Sequence, residues 1–208
     1  MIEVTYLDHM GSDLSVVNAA RVSFGKKHEE FEKKDFKLIY YLAKHKHMSP
    51  FGHAFASFHI KAPIFVARQL VKHKFLRWNE ISRRYVDAPP QFYIPDAWRG
   101  RSEDKKQGSS GIIDNEDLAD EVRRDASLAE VLYYYLLQSG VAPEQARMVL
   151  PQSTMTEWYW SGSLDAFAAM CNLRCKDDTQ YETRLVANQI SEEMVKLFPV
   201  SWSALTDE

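Results

Sequence analysis

The sequence of 208 residues predicts an α+β fold. Predicted helices and strands alternate along the chain without the regular βαβ repeats of a parallel sheet, and no internal repeat is visible. Apolar residues make up 45% of the chain and charged residues 26%, which is typical of a globular protein and excludes a disordered one. At this length we expect a single domain over residues 1–208.

Hydrophobic spacing predicts the elements of the first half. Ser12 or Asp13 caps the first helix, and the second repeats apolar residues at helical spacing between lysines and glutamates. Ser49-Pro50 predicts a short helix or turn, because a capping side chain precedes a proline suited to a first helical turn. In order, the longer elements are a strand over Ile2–Leu7, helices over Asp13–Ser23 and Glu29–His45, a strand over Ala54–Ala62 and, after Pro63, a helix from Ile64 to about Phe75.

The second half is predicted to be mostly helical. A loop or extended segment covers Arg77–Asp87, and a polar surface loop containing glycine and serine covers about 101–117. Pro199 is expected to stop the last helix. The regular elements are helices over Leu118–Ser139 and Pro143–Leu150, a strand over Thr154–Trp160, and helices over Leu164–Leu173 and Gln180–Leu197.

Several classes of site and location are excluded by what the sequence lacks. Cys171 and Cys175 are too few for a disulfide framework or a four-cysteine zinc site, and no histidine group has metal-ligand spacing, so we expect no metal. The scattered glycines form neither a Rossmann nor a P-loop motif. No signal peptide and no apolar run of roughly 20 residues is present, so we expect a soluble, cytoplasmic protein with no membrane contact.

Positive charge concentrates in one stretch, which we call the basic segment, Ile64–Tyr85. It holds six cations and one carboxylate, a net charge of +5, so the rest of the chain carries −8 to give the total of −3. Asparagine, carboxylate, hydroxyl and guanidinium groups follow one another over Asn79–Arg84, a set suited to a phosphate and a polar ring. A solvated basic surface is the alternative, and the acidic remainder argues against binding of a long nucleic acid.

Part of the basic segment resembles a known signature. Lys72–Tyr85 reads KHKFLRWNEISRRY and is similar to R-H-R-x-x-S-x-N-E-x-S-x-R-Y of the flavin-dependent thymidylate synthases. Lys72 and Lys74 stand where that family usually has arginine, and Arg77 where it has serine. Further blocks resemble the family in the same order: Ala19–Ser23, His47–His53, Lys61–Gln69, Ala146–Pro151, Tyr159-Trp160, Asn172–Arg174 and Gln180–Arg184.

The resemblance implies a fold and an activity. The fold is a central antiparallel sheet surrounded by helices, and the assembly is a homotetramer with shared active sites. The activity is reductive methylation of dUMP to dTMP, with 5,10-methylenetetrahydrofolate as carbon donor and NADPH-reduced FAD as hydride source. The family uses no cysteine nucleophile, so we expect neither Cys171 nor Cys175 to be catalytic.

The resemblance also implies residue roles. Arg174 would favour ionisation of the uracil N3, Ser82 would orient the ring, and His47 would lie near flavin and nucleotide, which makes these three the catalytic candidates. The dUMP-binding candidates are Gln69, Lys72, Glu80, Ser82, Arg84, Arg147 and Arg174. The FAD-binding candidates are Ser49, Lys72, His73, Lys74, Glu80 and Ser163.

Departures from the family pattern keep other functions open. Ser163, Asp165 and Ala169 replace asparagine, arginine and asparagine of many members, and an aspartate repels a flavin phosphate. The first alternative is therefore a catalytically inactive module that binds nucleotides or short RNA. The second is an assembly protein whose basic segment contacts a partner.

Overall fold

The computed structural model describes residues 1–86, 88–103, 108–115 and 117–206. Its centre is a four-stranded antiparallel sheet with the strand order β1-β2-β6-β3. These strands are β1 (Glu3–Met10), β2 (Phe55–Pro63), β3 (Leu76–Glu80) and β6 (Met155–Ser163). A separate two-stranded antiparallel sheet pairs β4 (Arg99–Arg101) with β5 (Ser109–Ile112). The α+β class and the antiparallel sheet are confirmed.

The two central strands carry one apolar and one polar face. Ala56, Phe58 and Ile60 alternate along β2 and are buried, and they face Trp158 and Trp160 of β6 in the core. The opposite face of the same strands carries polar pairs at matching register, which are Ser57 with Ser161, His59 with Tyr159 and Lys61 with Glu157. Period-two alternation therefore decides which side chains reach the core.

Helices bury the apolar face of the sheet. The core cluster takes its helical side chains from all but two of the helices, α4 and α5. Ala126 and Tyr133 of α4 are buried, but they lie outside that cluster. The helices are α1 (Asp13–Arg21), α2 (Lys33–Lys44), α3 (Ile64–Leu70), α4 (Asp117–Gln138), α5 (Pro143–Ala146), α6 (Leu164–Arg174), α7 (Tyr181–Leu197) and α8 (Pro199–Thr206).

Two sequence predictions differ from the structure, and a third, the loop or extended segment over Arg77–Asp87, agrees with it over the described residues and is made more specific. The helix expected to reach Phe75 ends at Leu70, and Phe75 has a positive φ of 65° that no helix interior tolerates. The segment expected to be a loop or extended begins with the edge strand β3. Pro199 does not only stop α7 but also starts α8, since its fixed φ suits a first helical turn.

The segment expected to be a polar loop is partly regular. In its described part, β4 ends at Arg101 and β5 covers Ser109–Ile112, so the prediction of a loop over 101–117 is wrong for these residues. Asp104–Gln107 and Glu116 lie outside the described residues. Within the described ranges, no helix has both the length and the apolar character needed to cross a bilayer.

Candidate active site

A polar cleft of about 420 Å³ opens where the basic segment meets β6 and the short turns after α4. The sheet contributes Trp78 and Glu80 of β3 and Thr156 of β6 to its lining. Three guanidinium side chains line it, those of Arg68, Arg83 and Arg147. Two carboxylate side chains, Glu80 and Glu144, line it as well. The cleft therefore combines two carboxylates with three cations, an arrangement that suits a small anionic ligand with polar groups.

Glu80 is held in place from two sides. The Thr156 hydroxyl donates a hydrogen bond of 2.6 Å to Oε1, and the Trp78 indole N–H donates one of 3.1 Å to Oε2. Trp78 is itself stacked on Trp158, with ring centroids 4.3 Å apart and planes at 17°. Because both oxygens are engaged, the carboxylate is fixed and presents its remaining lone pairs to the cleft.

The arginines of the cleft come from three elements. Arg68 lies on α3, and Arg83 lies in the turn after β3, where its guanidinium donates to the carbonyl oxygens of Ala88 and Pro89. Arg147 begins the 3₁₀ turn after α5, and its Nε donates to the Glu144 carbonyl at 3.4 Å. Among these, only Arg147 was a predicted site residue; the cluster of cations in the basic segment was the signal for Arg68 and Arg83.

Ser82 and Arg84 form a second group just beyond β3. The Arg84 Nε donates to the Ser82 hydroxyl at 3.1 Å, and the Arg84 guanidinium lies 4.9 Å from the ring centre of Tyr85. Arg84 is exposed, and neither side chain lines the cleft in a single chain. Both are thus presented to whatever approaches this edge of the sheet.

Arg174 and His73 form the third group. Arg174 is at the end of α6, and its Nε donates to His73 Nε2 at 2.9 Å. Burial, with the positive charge of Arg174 as a second cause, lowers the pKa of His73 from 6.5 to about 4. Burial also lowers the pKa of Arg174. The histidine is therefore neutral at physiological pH while the arginine remains charged.

Gln69 faces the helices behind the cleft. Its amide oxygen accepts a hydrogen bond from the buried Thr183 hydroxyl of α7. This contact orients the amide, so its NH₂ group points away from Thr183. The partner belongs to the Gln180–Arg184 block, which places two of the family blocks in contact.

The FAD candidates lie mainly on exposed turns. Ser49 is exposed between α2 and β2 and begins a 3₁₀ turn, and the catalytic candidate His47 is exposed just before it. Lys72 and Lys74 are exposed in the turn between α3 and β3. Ser163 is the N-cap residue of α6. Two residues later the Asp165 Oδ1 is buried and has no hydrogen-bond partner among the described residues.

The two cysteines lie apart from the arginine cleft. They are four residues apart at the end of α6 and line a cavity of about 370 Å³ with Asn172 and Lys176. Burial raises the pKa of Cys171 well above its usual value. A hydrogen bond from the Cys171 thiol lowers the pKa of Cys175. In the described part of the chain, no three histidine, cysteine or acidic side chains form a possible metal site.

Comparison with known proteins identifies the family. The family model described as "Thymidylate synthase complementing protein" matches residues 5–200. A flavin-dependent thymidylate synthase of Thermus thermophilus is 40% identical over 204 residues, covering 98% of this chain and 75% of the relative. The chain belongs to the flavin-dependent thymidylate synthases. The resemblance read from the sequence is confirmed, and the protein is an enzyme of this family.

Other relatives and solved structures agree with this assignment. The Kosmotoga olearia member is 40% identical over 205 residues, covering 97% of this chain and 88% of that protein. The crystal structure of the UMP/dUMP methylase PolB from Streptomyces cacaoi bound with 5-Br dUMP matches with a TM-score of 0.90 and 34% identity. The match covers 99% of this chain and 95% of that one. A second PolB structure, bound with 5-Br UMP, matches with a TM-score of 0.84.

Proposed function

We propose that this enzyme converts dUMP to dTMP by reductive methylation. The observation that carries the proposal is the cleft in which Glu80 is fixed among the guanidinium groups of Arg68, Arg83 and Arg147. Guanidinium groups bind phosphate oxygens in pairs, and a carboxylate accepts hydrogen bonds from nucleoside hydroxyl or N–H groups. The structural similarity to a methylase named for UMP and dUMP supports the same substrate class.

In this proposal the residues that contact dUMP have different tasks. Arg147 and Arg84 bind the phosphate, and Ser82 and Gln69 orient the nucleotide. Arg174 stabilises negative charge on the uracil N3 and its neighbouring carbonyls, which makes C5 more nucleophilic. Ser82, Arg84 and Arg174 do not line the cleft of one chain, and sites shared between subunits would bring them to one nucleotide.

The side chains on the exposed turns have the charges and hydrogen-bonding groups that FAD requires. Lys72 and Lys74 are exposed cations for its phosphates, while His73 and the Ser49 hydroxyl offer hydrogen bonds to its polar groups. Ser163 at the N-terminus of α6 offers a further hydroxyl, although the Asp165 carboxylate nearby excludes a phosphate there. When bound and reduced by NADPH, the flavin supplies the hydride that completes the methyl group delivered by 5,10-methylenetetrahydrofolate.

A cysteine nucleophile is not part of this mechanism. Cys175 lines a different cavity from Glu80 and Arg147, and the cavity residues around it include none of the three cleft arginines. Cys171 is buried and its raised pKa keeps it a thiol. Activation of the uracil ring thus falls to Arg174 rather than to addition of a thiolate. Unpaired cysteines such as these are typical of cytoplasmic proteins, the location proposed here.

The proposed assembly is a homotetramer with shared sites, and α4 offers a surface for it. Four large apolar side chains follow one another at helical spacing along α4 and are exposed to solvent in one chain. They are Leu128 (62% exposed), Val131 (64%), Leu132 (45%) and Tyr135 (64%). An apolar stripe of this kind on a helix outside the core is typical of a subunit interface. We call it the α4 stripe, and its occupant in this proposal is a second copy of the chain.

The test is an absorption spectrum followed by a tritium-release assay. Purified protein should show bound flavin, or take up added FAD, and should release tritium from dUMP labelled at C5 only with NADPH and methylenetetrahydrofolate. Nucleotide binding without tritium release would instead support the inactive binding module. Protein that binds neither FAD nor nucleotide would leave the assembly protein as the better description.

A further inference from the structure

We propose that His73 is a positioning residue that fixes the guanidinium plane of Arg174 for the uracil ring. This inference rests on the proposed function, because it assigns Arg174 a task on the pyrimidine. It gives His73 a role beyond the contact with FAD implied by the family signature. The role is carried by one contact between two distant parts of the chain.

The contact joins the end of α6 to the turn that follows α3. The two residues are 101 positions apart, and the Arg174 Nε donates to His73 Nε2 at 2.9 Å. His73 is anchored on its own side, since its backbone N–H donates to the Leu70 carbonyl at 3.1 Å. Arg174 is held by the last turn of α6, whose next residue, Cys175, donates its backbone N–H to the Cys171 carbonyl at 2.8 Å. Both backbones are thus fixed before the side chains meet.

The donor and acceptor atoms of the two side chains determine the protonation state of His73. Arginine has no acceptor, so the nitrogen of His73 that faces it must carry a lone pair, and the imidazole is neutral with its proton on Nδ1. A second positive charge at 2.9 Å would repel the guanidinium, in agreement with a histidine pKa of about 4. The contact is therefore made by the neutral imidazole over the whole range in which enzymes of neutral pH operate.

This arrangement leaves the edge of the Arg174 guanidinium that carries its two Nη atoms available to a ligand. His73 engages only the Nε of Arg174, and no other described residue bonds its guanidinium, so the N–H groups on both Nη atoms remain to face an anion. Because the guanidinium is planar, one fixed hydrogen bond sets the direction of that edge. Burial lowers the pKa of Arg174, which indicates a partly desolvated charge whose effect on a nearby anion is stronger than in water. A displacement of such a group by about 1 Å can lower the rate of catalysis by about a hundredfold.

The competing interpretation is that His73 acts only on the flavin. The two interpretations differ in whether the effects of changing His73 and Arg174 are independent. If His73 works through Arg174, its removal has no further effect once Arg174 is gone. If it works through the flavin alone, the two losses multiply.

The experiment is a double-mutant cycle with His73→Phe, Arg174→Ala and the combined variant. His73→Phe keeps an aromatic ring and loses the acceptor, and His73→Gln returns an acceptor oxygen. His9→Leu is the matched control, because His9 is exposed and its Nδ1 lies 2.6 Å from the Tyr6 hydroxyl, on β1. Thermal melting reports folding, and His73→Leu replaces His73→Phe if the latter does not fold.

Two readouts are measured on every variant. The first is the turnover of dUMP at saturating FAD, with kcat and KM determined separately. The second needs no turnover: the ultraviolet difference spectrum of bound 5-bromo-dUMP, whose ring absorbs differently once N3 has lost its proton. Arg174 stabilises that anion in the proposal, so the ionised fraction reports its alignment directly.

We expect His73→Phe to lower kcat by about tenfold to a hundredfold with a smaller change in KM, and to lower the ionised fraction of bound 5-bromo-dUMP. His73→Gln should restore most of both, His9→Leu should change neither, and His73→Phe should add nothing in the Arg174→Ala background. Multiplying losses, or an unchanged spectrum in His73→Phe, would overturn the role of His73. A protein without turnover whose 5-bromo-dUMP spectrum still shows the coupling would retain that role and refute the proposed reaction.

Discussion

The Thr156 hydroxyl donates a 2.6 Å hydrogen bond to the Glu80 carboxylate across 76 positions of sequence. Thr156 is only 5% exposed, so its side chain is held in the sheet, and removal of its hydroxyl leaves the Glu80 carboxylate with one fewer fixed donor. A hydrogen bond to a charged group contributes about 1.5–3 kcal/mol. We expect Thr156→Val to weaken dUMP binding by at least about tenfold, measured by titration calorimetry.

The control for this change is Thr5→Val on β1. It replaces the same side chain on the far edge strand of the same sheet, at an exposed position away from the cleft. Its nucleotide affinity should equal that of the unchanged protein. Equal affinity for Thr156→Val would mean that Glu80 does not hold the nucleotide.

A second prediction concerns stability at low pH. Asp35 is fully buried and forms ion pairs of 2.7 Å with Arg21 and 2.9 Å with His28. Burial acts to raise the pKa of Asp35, but hydrogen bonds from the Glu32 backbone amide, Arg21 and His28 outweigh it and lower the pKa from 3.8 to about 2. A carboxyl with a depressed folded-state pKa stabilises the protein above its unfolded-state pKa, and this contribution is lost as the pH falls from about 4 to about 2.

We therefore expect Asp35→Asn to lower the free energy of unfolding by about 2 kcal/mol at pH 7 and to flatten its decline between pH 4 and pH 2. Urea denaturation at a series of pH values measures both effects. Glu29→Gln is the matched control, since Glu29 pairs with Lys27 at the surface, where an ion pair contributes little. An Asp35→Asn curve parallel to that of the unchanged protein would contradict the assignment.

The central strands and the edge strand β1 could be predicted from sequence, whereas β3 was predicted only as part of a loop or extended segment. In β2 and β6, buried and more exposed side chains alternate over most of the strand, and this local pattern is sufficient to predict a strand. β3 has mostly exposed residues, and it becomes a strand by pairing Trp78 with Trp160 of β6. That pairing is a contact between distant segments, which local spacing does not reveal.

The candidate site was predicted in part for a related reason. The family signature supplied Glu80 and His73, and the Asn172–Arg174 block supplied Arg174. Thr156 has no signature of its own and reaches Glu80 only because β3 lies beside β6. The sequence likewise gave no indication that His73 meets Arg174. The sequence therefore predicted which residues belong to the site, but their hydrogen-bond partners could be identified only from the folded structure.

A third prediction concerns the two cysteines. The hydrogen bond from Cys171 lowers the pKa of Cys175, while burial raises that of Cys171. Since thiolates are the reactive form, Cys175 should react with Ellman's reagent at pH 8 at least about tenfold faster than Cys171. Cys175→Ser should abolish the fast phase and leave dUMP turnover unchanged. Two equal phases, or turnover lost in Cys175→Ser with the fold intact, would refute the reactivity order or the thiol-independent mechanism, respectively.

The fourth prediction tests the α4 stripe as a subunit interface. Val131 is 64% exposed in the single chain, so a charge there costs the isolated fold little. In an interface the same charge would be buried without a partner, which is strongly unfavourable. Light scattering after gel filtration should therefore show a tetramer for the unchanged protein and smaller species for Val131→Asp.

Val195→Asp is the matched control, because Val195 is 43% exposed on α7, outside the α4 stripe. It should remain tetrameric and active. If sites are shared between subunits, Val131→Asp should lose dUMP turnover together with its assembly, although the cleft around Glu80 lies within one chain. A dissociated Val131→Asp variant with full turnover would show instead that one chain completes its own site, and Ser82, Arg84 and Arg174 would then have to reach the nucleotide by movement within that chain.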